Sequence, residues 1–521
     1  MKKILKLASI GLIAIYFAAC SASQKNEQGL RYDSKTESPK SEKKEMSPST
    51  KDEKNSKRKE EIGEQQKEKI DKQDVMVELV ENPFVNVNEI PNSTFSIDVD
   101  NASYTYARSI IENGSLPSPK MIRIEEFINY FDYDYPQPTG KSPFSVYQEV
   151  ATCPWKDNHK LVHIGLQGKK IDNKDRKNAN LVFLIDVSGS MQDQNKLPLL
   201  KKSFEILVNE LNEDDKVSIV VYAGAAGLVL PPTSGGNKKV ILEALNNLKA
   251  GGSTAGGEGL RLAYNVAEKN KLTNGNNRVI IASDGDFNVG ESSDEAMQQL
   301  IEEKRKTGVF ITVLGFGLGN YQDNKMEIIA NKGNGNYYYI DNYSEAKKIF
   351  STGLTGTLIT IAKDVKIQVE FNPSVVKKYR LLGYENRLLN KEDFEDDKKD
   401  AGEIGAGHAV TAIYEVELYQ NTNNAKIAEL RTRYKSPQGE NSLLMTQNIQ
   451  NDTQSFEESS NNFRFSAAVA GFALCLRESK YKENLSLEKV ISIAKSSLGK
   501  DKDNYRKDFL YLVNKTLTFS K

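Results

Sequence analysis

Asn180-Leu181-Val182-Phe183-Leu184-Ile185-Asp186-Val187-Ser188-Gly189-Ser190 is the stretch on which the fold turns. Residues 181–185 are an unbroken apolar run with no polar alternation, the pattern of a strand buried on both faces of a parallel sheet. The run ends on a carboxylate, and two hydroxyls follow at alternate positions around a glycine that lets the loop curve tightly. Downstream, Leu197, Leu200, Phe204, Leu207 and Leu211 recur at three- and four-residue steps, which predicts an amphipathic helix. Residues 217–222 read as a strand with a hairpin edge at 227–230, and 240–248 and 259–268 read as helices. A short buried strand follows at 279–282. Ser292 with Glu295 forms a capping box for a helix running to about residue 306, and 310–316 and 337–340 supply two more strands. Strands alternating with helices of this length predict an α/β, Rossmann-like domain over 178–352, its mostly parallel sheet covered on both faces.

The carboxylate of Asp186 falls at a strand C-terminus, the rim where open α/β sheets bind ligands. Ser188 and Ser190 stand beside it, Thr254 lies in the glycine-rich run 251–257, and Asp284 follows another buried strand. Five oxygen donors with two negative charges and no His or Cys suit a hard divalent cation, Mg²⁺ first, with Ca²⁺ or Mn²⁺ as alternatives. In order and spacing, Asp186-x-Ser188-x-Ser190, Thr254 and Asp284 resemble the metal-ion-dependent adhesion site of von Willebrand factor type A domains. Residues 93–100, 125–131 and 153–155 resemble the N-terminal region of bacterial lipoproteins carrying that domain, and the segment after 360 resembles their C-terminal region. The resemblance implies that a protein partner presents a Glu or Asp to an incompletely coordinated cation. The alternative is a relic loop, its Asp capping a helix and its hydroxyls satisfying turns.

Working outward, residues 1–20 carry Lys2, Lys3 and Lys6, an apolar run over 7–19, and Ala18-Ala19-Cys20, a secretory signal pattern. The ending resembles a bacterial lipoprotein signal, which implies that Cys20 is lipid-modified and anchors the protein to a membrane, the outer membrane first. The alternative is an ordinary secreted protein cut near Ala19. Residues 21–91 read as a charged tether, with mixed runs such as Lys57-Arg58-Lys59-Glu60-Glu61 too polar to pack. Residues 92–177 form an N-terminal flank with strands at 94–100, 144–151 and 160–169 and helices at 103–113 and 122–131. Residues 360–521 form a C-terminal flank, β-rich to about 434 and then helical over 463–476, 485–498 and 503–517. The strands before 180 are too few for a stable sandwich, so the two flanks are expected to make one β-rich unit around the inserted domain.

Composition narrows the function. The chain has 521 residues, a length suited to about three folded units, with 71 basic and 71 acidic side chains. A net charge of zero removes the counterion-release argument for a nucleic-acid partner. Three cysteines and three histidines leave no disulfide framework and little for a zinc enzyme. Asp98, Asp100 and Ser103 offer oxygen donors, but strand alternation and a helix cap explain them; 392–400 reads as a solvated acidic loop. His159, His163 and His408 form no cluster and read as structural. Cys153 and Cys475 are read as thiols that stay apart rather than pair. No nucleophile elbow, His-Glu-x-x-His or phosphate loop is present, so the expectation is not an enzyme but a membrane-anchored, cation-dependent adhesion or scaffolding module of the bacterial cell envelope. The alternatives are an envelope lipoprotein whose metal only stabilises the fold and, behind it, a hydrolase.

Overall fold

The computed structural model describes residues 80–252, 256–285, 294–318, 323–451 and 454–519. Cys20 with the signal segment, the tether through residue 79, Thr254 and the Ser292 cap lie outside the described residues. The described chain opens with β1 (Val85–Asn86), β2 (Asn92–Ser96), α1 (Ala102–Glu112), α2 (Ile124–Asn129), β3 (Phe144–Thr152) and β4 (His159–Gly168). Next come β5 (Ala179–Asp186), α3 (Leu197–Asn209), β6 (Lys216–Tyr222), β7 (Ala226–Ser234), α4 (Lys238–Asn246) and α5 (Gly256–Lys269). They are followed by β8 (Asn276–Ser283), α6 (Asp294–Lys306), β9 (Phe310–Gly315), α7 (Asp323–Lys332) and β10 (Tyr337–Tyr339). The chain then runs through β11 (Thr360–Phe371), β12 (Val376–Leu382), β13 (Leu388–Leu389), β14 (Gly402–Gly405), β15 (Ala409–Leu418), β16 (Lys426–Lys435) and β17 (Ser442–Gln450). Helices α8 (Asn461–Leu476), α9 (Leu487–Ser496) and α10 (Tyr505–Phe519) close it.

The inserted sheet has the order β10-β9-β8-β5-β6-β7, parallel except for the β6–β7 hairpin. Every residue of β5 is buried, as its unbroken apolar run requires at the centre of a two-faced sheet. From β5 the chain winds outward through β6 and β7, then returns to β8 on the other side. The reversal of strand order therefore lies between the C-terminal ends of β5 and β8, where such folds open a crevice. On one face Phe183 stacks on Phe204 of α3 with ring centroids 4.3 Å apart, alongside Leu207 and Ile241. On the other, Val182, Leu184, Val279 and Ile281 pack against Leu260, Ile301 and Ile329, and also against Ala102, Tyr106 and Ile110 of α1. A helix from the N-terminal flank thus completes the core of the inserted domain.

The flanks share two antiparallel sheets, β1-β12-β15-β4-β3 and β13-β2-β11-β16-β17, with β14 added on β11. β2 pairs with β11 from Asn92↔Glu370 to Ser96↔Lys366, and β4 pairs with β15 from His159↔Glu417 to Gln167↔Ala409. The two sheets bury Phe95, Ile164, Val369, Tyr414 and Leu430 between them. Helices α8–α10 cover the outer face of the β4 sheet, where Phe463, Phe472 and Phe509 meet Ala151 and Leu161. Apolar all round, α8 is buried along nearly its whole length, as such a helix must be. No helix among the described residues is long and apolar enough to cross a membrane.

Three readings of the flanks change. β2 stops at Ser96 because Asp98 leaves the ladder, its Oδ1 accepting the Asp100 N–H at 2.9 Å and its Oδ2 meeting Arg387 at 2.9 Å. The acidic segment 392–400 is not merely solvated: Glu395 pairs with Arg431 and Arg433 of β16, and Asp397 with Arg433. Strand β17 carries no apolar alternation, with Leu443 and Leu444 both exposed; its nine residues are organised by the β16 ladder. Cys153 and Cys475 are free thiols.

Candidate metal centre

The rim of the inserted sheet carries four of the five predicted donors, Thr254 lying outside the described residues. Asp186, the last residue of β5, is fully buried; Ser188 is 2 % and Asp284 2 % exposed, while Ser190 faces solvent. One Asp186 oxygen accepts the Ser188 N–H at 2.9 Å and the other accepts the Ser283 hydroxyl at 3.1 Å. Burial pushes the Asp186 carboxyl up to about 6, against the hydrogen bonds from Ser188 and Ser283 and with a smaller push from the Asp284 charge. A bound cation would remove that penalty.

The hydroxyls of Ser188 and Ser190 stand 3.0 Å apart. That separation is an ordinary hydrogen bond, and it is also the edge between neighbouring ligands of an octahedral Mg²⁺, which holds oxygens at about 2.1 Å and so about 3.0 Å from each other. An oxygen-only donor set at this spacing suits a hard divalent cation, Mg²⁺, Mn²⁺ and Ca²⁺ alike. The glycine-rich run is docked onto the same loop, with Gly251 N–H bonded to Val187 O at 2.8 Å and Gly189 N–H to Gly252 O at 3.0 Å. Gly252 takes φ +89, a conformation that favours glycine. These bonds hold the described end of the run two residues before Thr254.

Sequence reasoning missed Lys196. Its Nζ donates to Asp284 Oδ2 at 2.9 Å, with side-chain exposures of 7 % and 1 %. The only local signal was a lysine immediately before the apolar start of α3, which reads as an ordinary surface residue.

The other candidates resolve as structure. Asp98 and Asp100 both pair with Arg387, and His163 is fully buried, bonded to Tyr135 Oη at 2.6 Å and Ser466 Oγ at 3.0 Å. His159 meets Glu415 at 2.7 Å, and Trp155 donates to the same carboxylate at 3.2 Å. A cleft of about 820 Å³ opens between the inserted domain, the β15 sheet and the C-terminal helices. Two of the cations lining it are engaged at helix ends: Lys348 donates to Tyr130 O, and Arg506 to Ser497 O and Leu498 O. Among the described residues, no cluster of three or more His, Cys, Asp or Glu is arranged to hold a metal.

Comparison with known proteins places this geometry. A von Willebrand factor type A domain profile matches residues 180–352, a von Willebrand factor profile matches 71–163, and a profile for the C-terminal region of the uncharacterized protein YfbK matches 356–518. YfbK of Escherichia coli K12 is 38 % identical over 458 residues, 83 % of this chain and 79 % of its own. The uncharacterized protein sll0103 of Synechocystis is 30 % identical over 193 residues, 37 % of this chain and 45 % of its own. A solved von Willebrand factor type A structure from Catenulispora acidiphila aligns over 74 % of this chain and 91 % of its own, with 15 % identity and a TM-score of 0.42. On its identity to YfbK across most of both chains, and with the type A domain matched between the two flanks, the chain belongs to the YfbK family of bacterial von Willebrand factor type A proteins.

Proposed function

We propose that this protein is a lipid-anchored, divalent-cation-dependent protein-binding module of the bacterial cell envelope. The observation that carries the reading is the pair of desolvated carboxylates, Asp186 and Asp284, at the strand-order reversal, with the Ser188 and Ser190 hydroxyls beside them at the spacing of one small cation's shell. Asp186, Ser188, Ser190, Thr254 and Asp284 would hold Mg²⁺ or Mn²⁺, directly or through water. Bound there, the cation would supply an electrophilic point for a Glu or Asp side chain of a partner protein. Hydroxyls and water add no negative charge to the shell, so a carboxylate is the ligand that such a cation attracts most strongly. The exposure of Ser190 supports the reading, because it leaves one side of the loop accessible to a partner.

Anchoring is read from Ala18-Ala19-Cys20 and the charged tether behind it. Acylation at Cys20 would hold the protein on a membrane, the outer membrane in the first instance, with the tether giving reach. The similarity to type A domains favours binding over catalysis. A second reading, in which the cation only stabilises the fold, draws on the deep burial of both carboxylates. Calorimetric titration of wild type and Asp186→Ala with Mg²⁺ and Mn²⁺ tests the site. Capture of envelope proteins with and without chelator, measured beside the melting temperature, separates the readings: chelator-sensitive capture at unchanged Tm supports adhesion, and a drop in Tm with capture intact supports stabilisation.

A further inference from the structure

We infer that Lys196 weakens loading of the cation and strengthens capture of the partner's carboxylate, a role that rests on the cation reading above. Its ammonium is a built part of the rim. The stem runs along Gly317, where an added Cβ would lie 2.3 Å from Lys196 Cε, 2.6 Å from Cγ and 2.9 Å from Cδ. Gly317 takes φ +78, so the loop leaving β9 is shaped to admit that stem. The Lys196 backbone is held as well, its N–H bonded to Asp193 O at 3.0 Å and its carbonyl accepting the Leu200 N–H at 2.8 Å. At the far end, Nζ meets Asp284 Oδ2 at 2.9 Å with almost no exposure.

The charge arithmetic gives this ammonium a function. Asp186, Asp284 and Lys196 sum to −1, a divalent cation takes these three groups to +1, and one partner carboxylate brings them to zero. Without Lys196 the same steps run from −2 to zero and then to −1. Lys196 therefore opposes the cation alone and favours the anion once the cation is present. At a desolvated rim each such unit charge changes a binding constant by about tenfold or more. Lys196 is a positioning residue that divides the binding energy between the two events, lowering the affinity for the cation and raising the affinity of the loaded rim for a carboxylate.

The test uses the full chain with Lys196→Met, which keeps a stem along Gly317, and Lys196→Gln as a second neutral variant. Mn²⁺ is titrated calorimetrically into each protein, and sodium acetate is then titrated into the Mn²⁺-saturated proteins and followed by water-proton relaxation. Both variants are expected to bind Mn²⁺ about tenfold tighter and acetate about tenfold weaker than wild type. A merely structural lysine would lower the Tm and shift both affinities together or neither, and that result overturns the inference. Equal Mn²⁺ affinity in all three proteins removes the role of Lys196 and leaves the cation reading standing. Absence of Mn²⁺ binding in all three overturns both.

Discussion

Where the flanks meet the inserted domain, Arg108, Arg123 and Arg387 each bridge two or more carboxylates; at the rim of that domain, buried Asp186 is held by a backbone N–H and a hydroxyl. Arg108 grips Asp341 through two bonds of 2.6 and 2.7 Å and reaches Glu345 at 2.8 Å. Arg123 meets Asp323, Glu126 at 3.2 Å and Glu327 at 2.8 Å. Asp323, Glu327 and Asn331 lie at four-residue steps on one face of α7 and are met by Arg123, Asn386 and Arg387 from the flanks. Arginine charge offsets only part of the desolvation in these networks, since burial still holds Glu126, Glu327 and Asp341 above the usual carboxylate range. At the rim the partners are of another kind: neutral donors meet Asp186, and a single lysine meets Asp284.

Four outcomes would break or sharpen this contrast. The largest effect is expected at the closed network: Arg123→Met leaves three buried carboxylates without their cation and should destabilise the fold by about 3–5 kcal/mol, read as a lower urea midpoint. A midpoint within experimental scatter of wild type would mean the junction is not a stabilising clamp. Next comes the rim, where Asp186→Asn should weaken Mn²⁺ binding by about a hundredfold, about 2.7 kcal/mol. The apo stability of that variant should change by less than about 1 kcal/mol, because burial already disfavours the charged form. A loss of stability comparable to that of Arg123→Met would erase the distinction between the two regions.

The third outcome concerns His163, which burial pulls down to about 3. The folded state takes up its proton later than the unfolded state, whose imidazole titrates near 6.5. The stabilising difference is therefore fully present above about pH 6.5 and is lost as pH falls toward 3, at roughly 1.4 kcal/mol per pH unit. Comparing wild type with His163→Gln at pH 7 and pH 5 isolates that slope, and parallel stability curves would show that the ring is not held neutral. The smallest effect belongs to the surface pairs: Glu395 is more than half exposed, so Glu395→Ala should shift the Tm by no more than a degree or two. A larger shift in differential scanning calorimetry would move the acidic segment from the surface to the stabilising networks.

Much of this was legible locally. The apolar run at 181–185 and the helical spacing from Leu197 announce β5 and α3 because burial on both faces and on one stripe leave different periodicities. The pattern Asp186-x-Ser188-x-Ser190 marks a rim because a carboxylate at a buried strand's end must have a partner. Strand β17 was not legible, since its residues gain their conformation from a neighbour's ladder rather than from their own alternation. The pairing of Asp98 and Asp100, which read from the sequence as strand alternation and a cap, was not legible because their cation, Arg387, lies almost three hundred residues away in sequence.

The sequence by itself determined most of the strands and helices, which donors sit at strand ends, and that the flank before residue 180 holds too few strands to stand alone. Tertiary structure decided how they are joined. Only the parallel register of β5 with β8, Ile185 beside Ala282, brings Asp284 to the rim of Asp186. Only the course of the loop after β9 lays Gly317 under the stem of Lys196, a residue 88 positions from the carboxylate it neutralises. Periodicity reports the burial of a segment, which each residue feels locally; the pairing of charges depends on where distant backbones end, and that is settled when the sheet assembles.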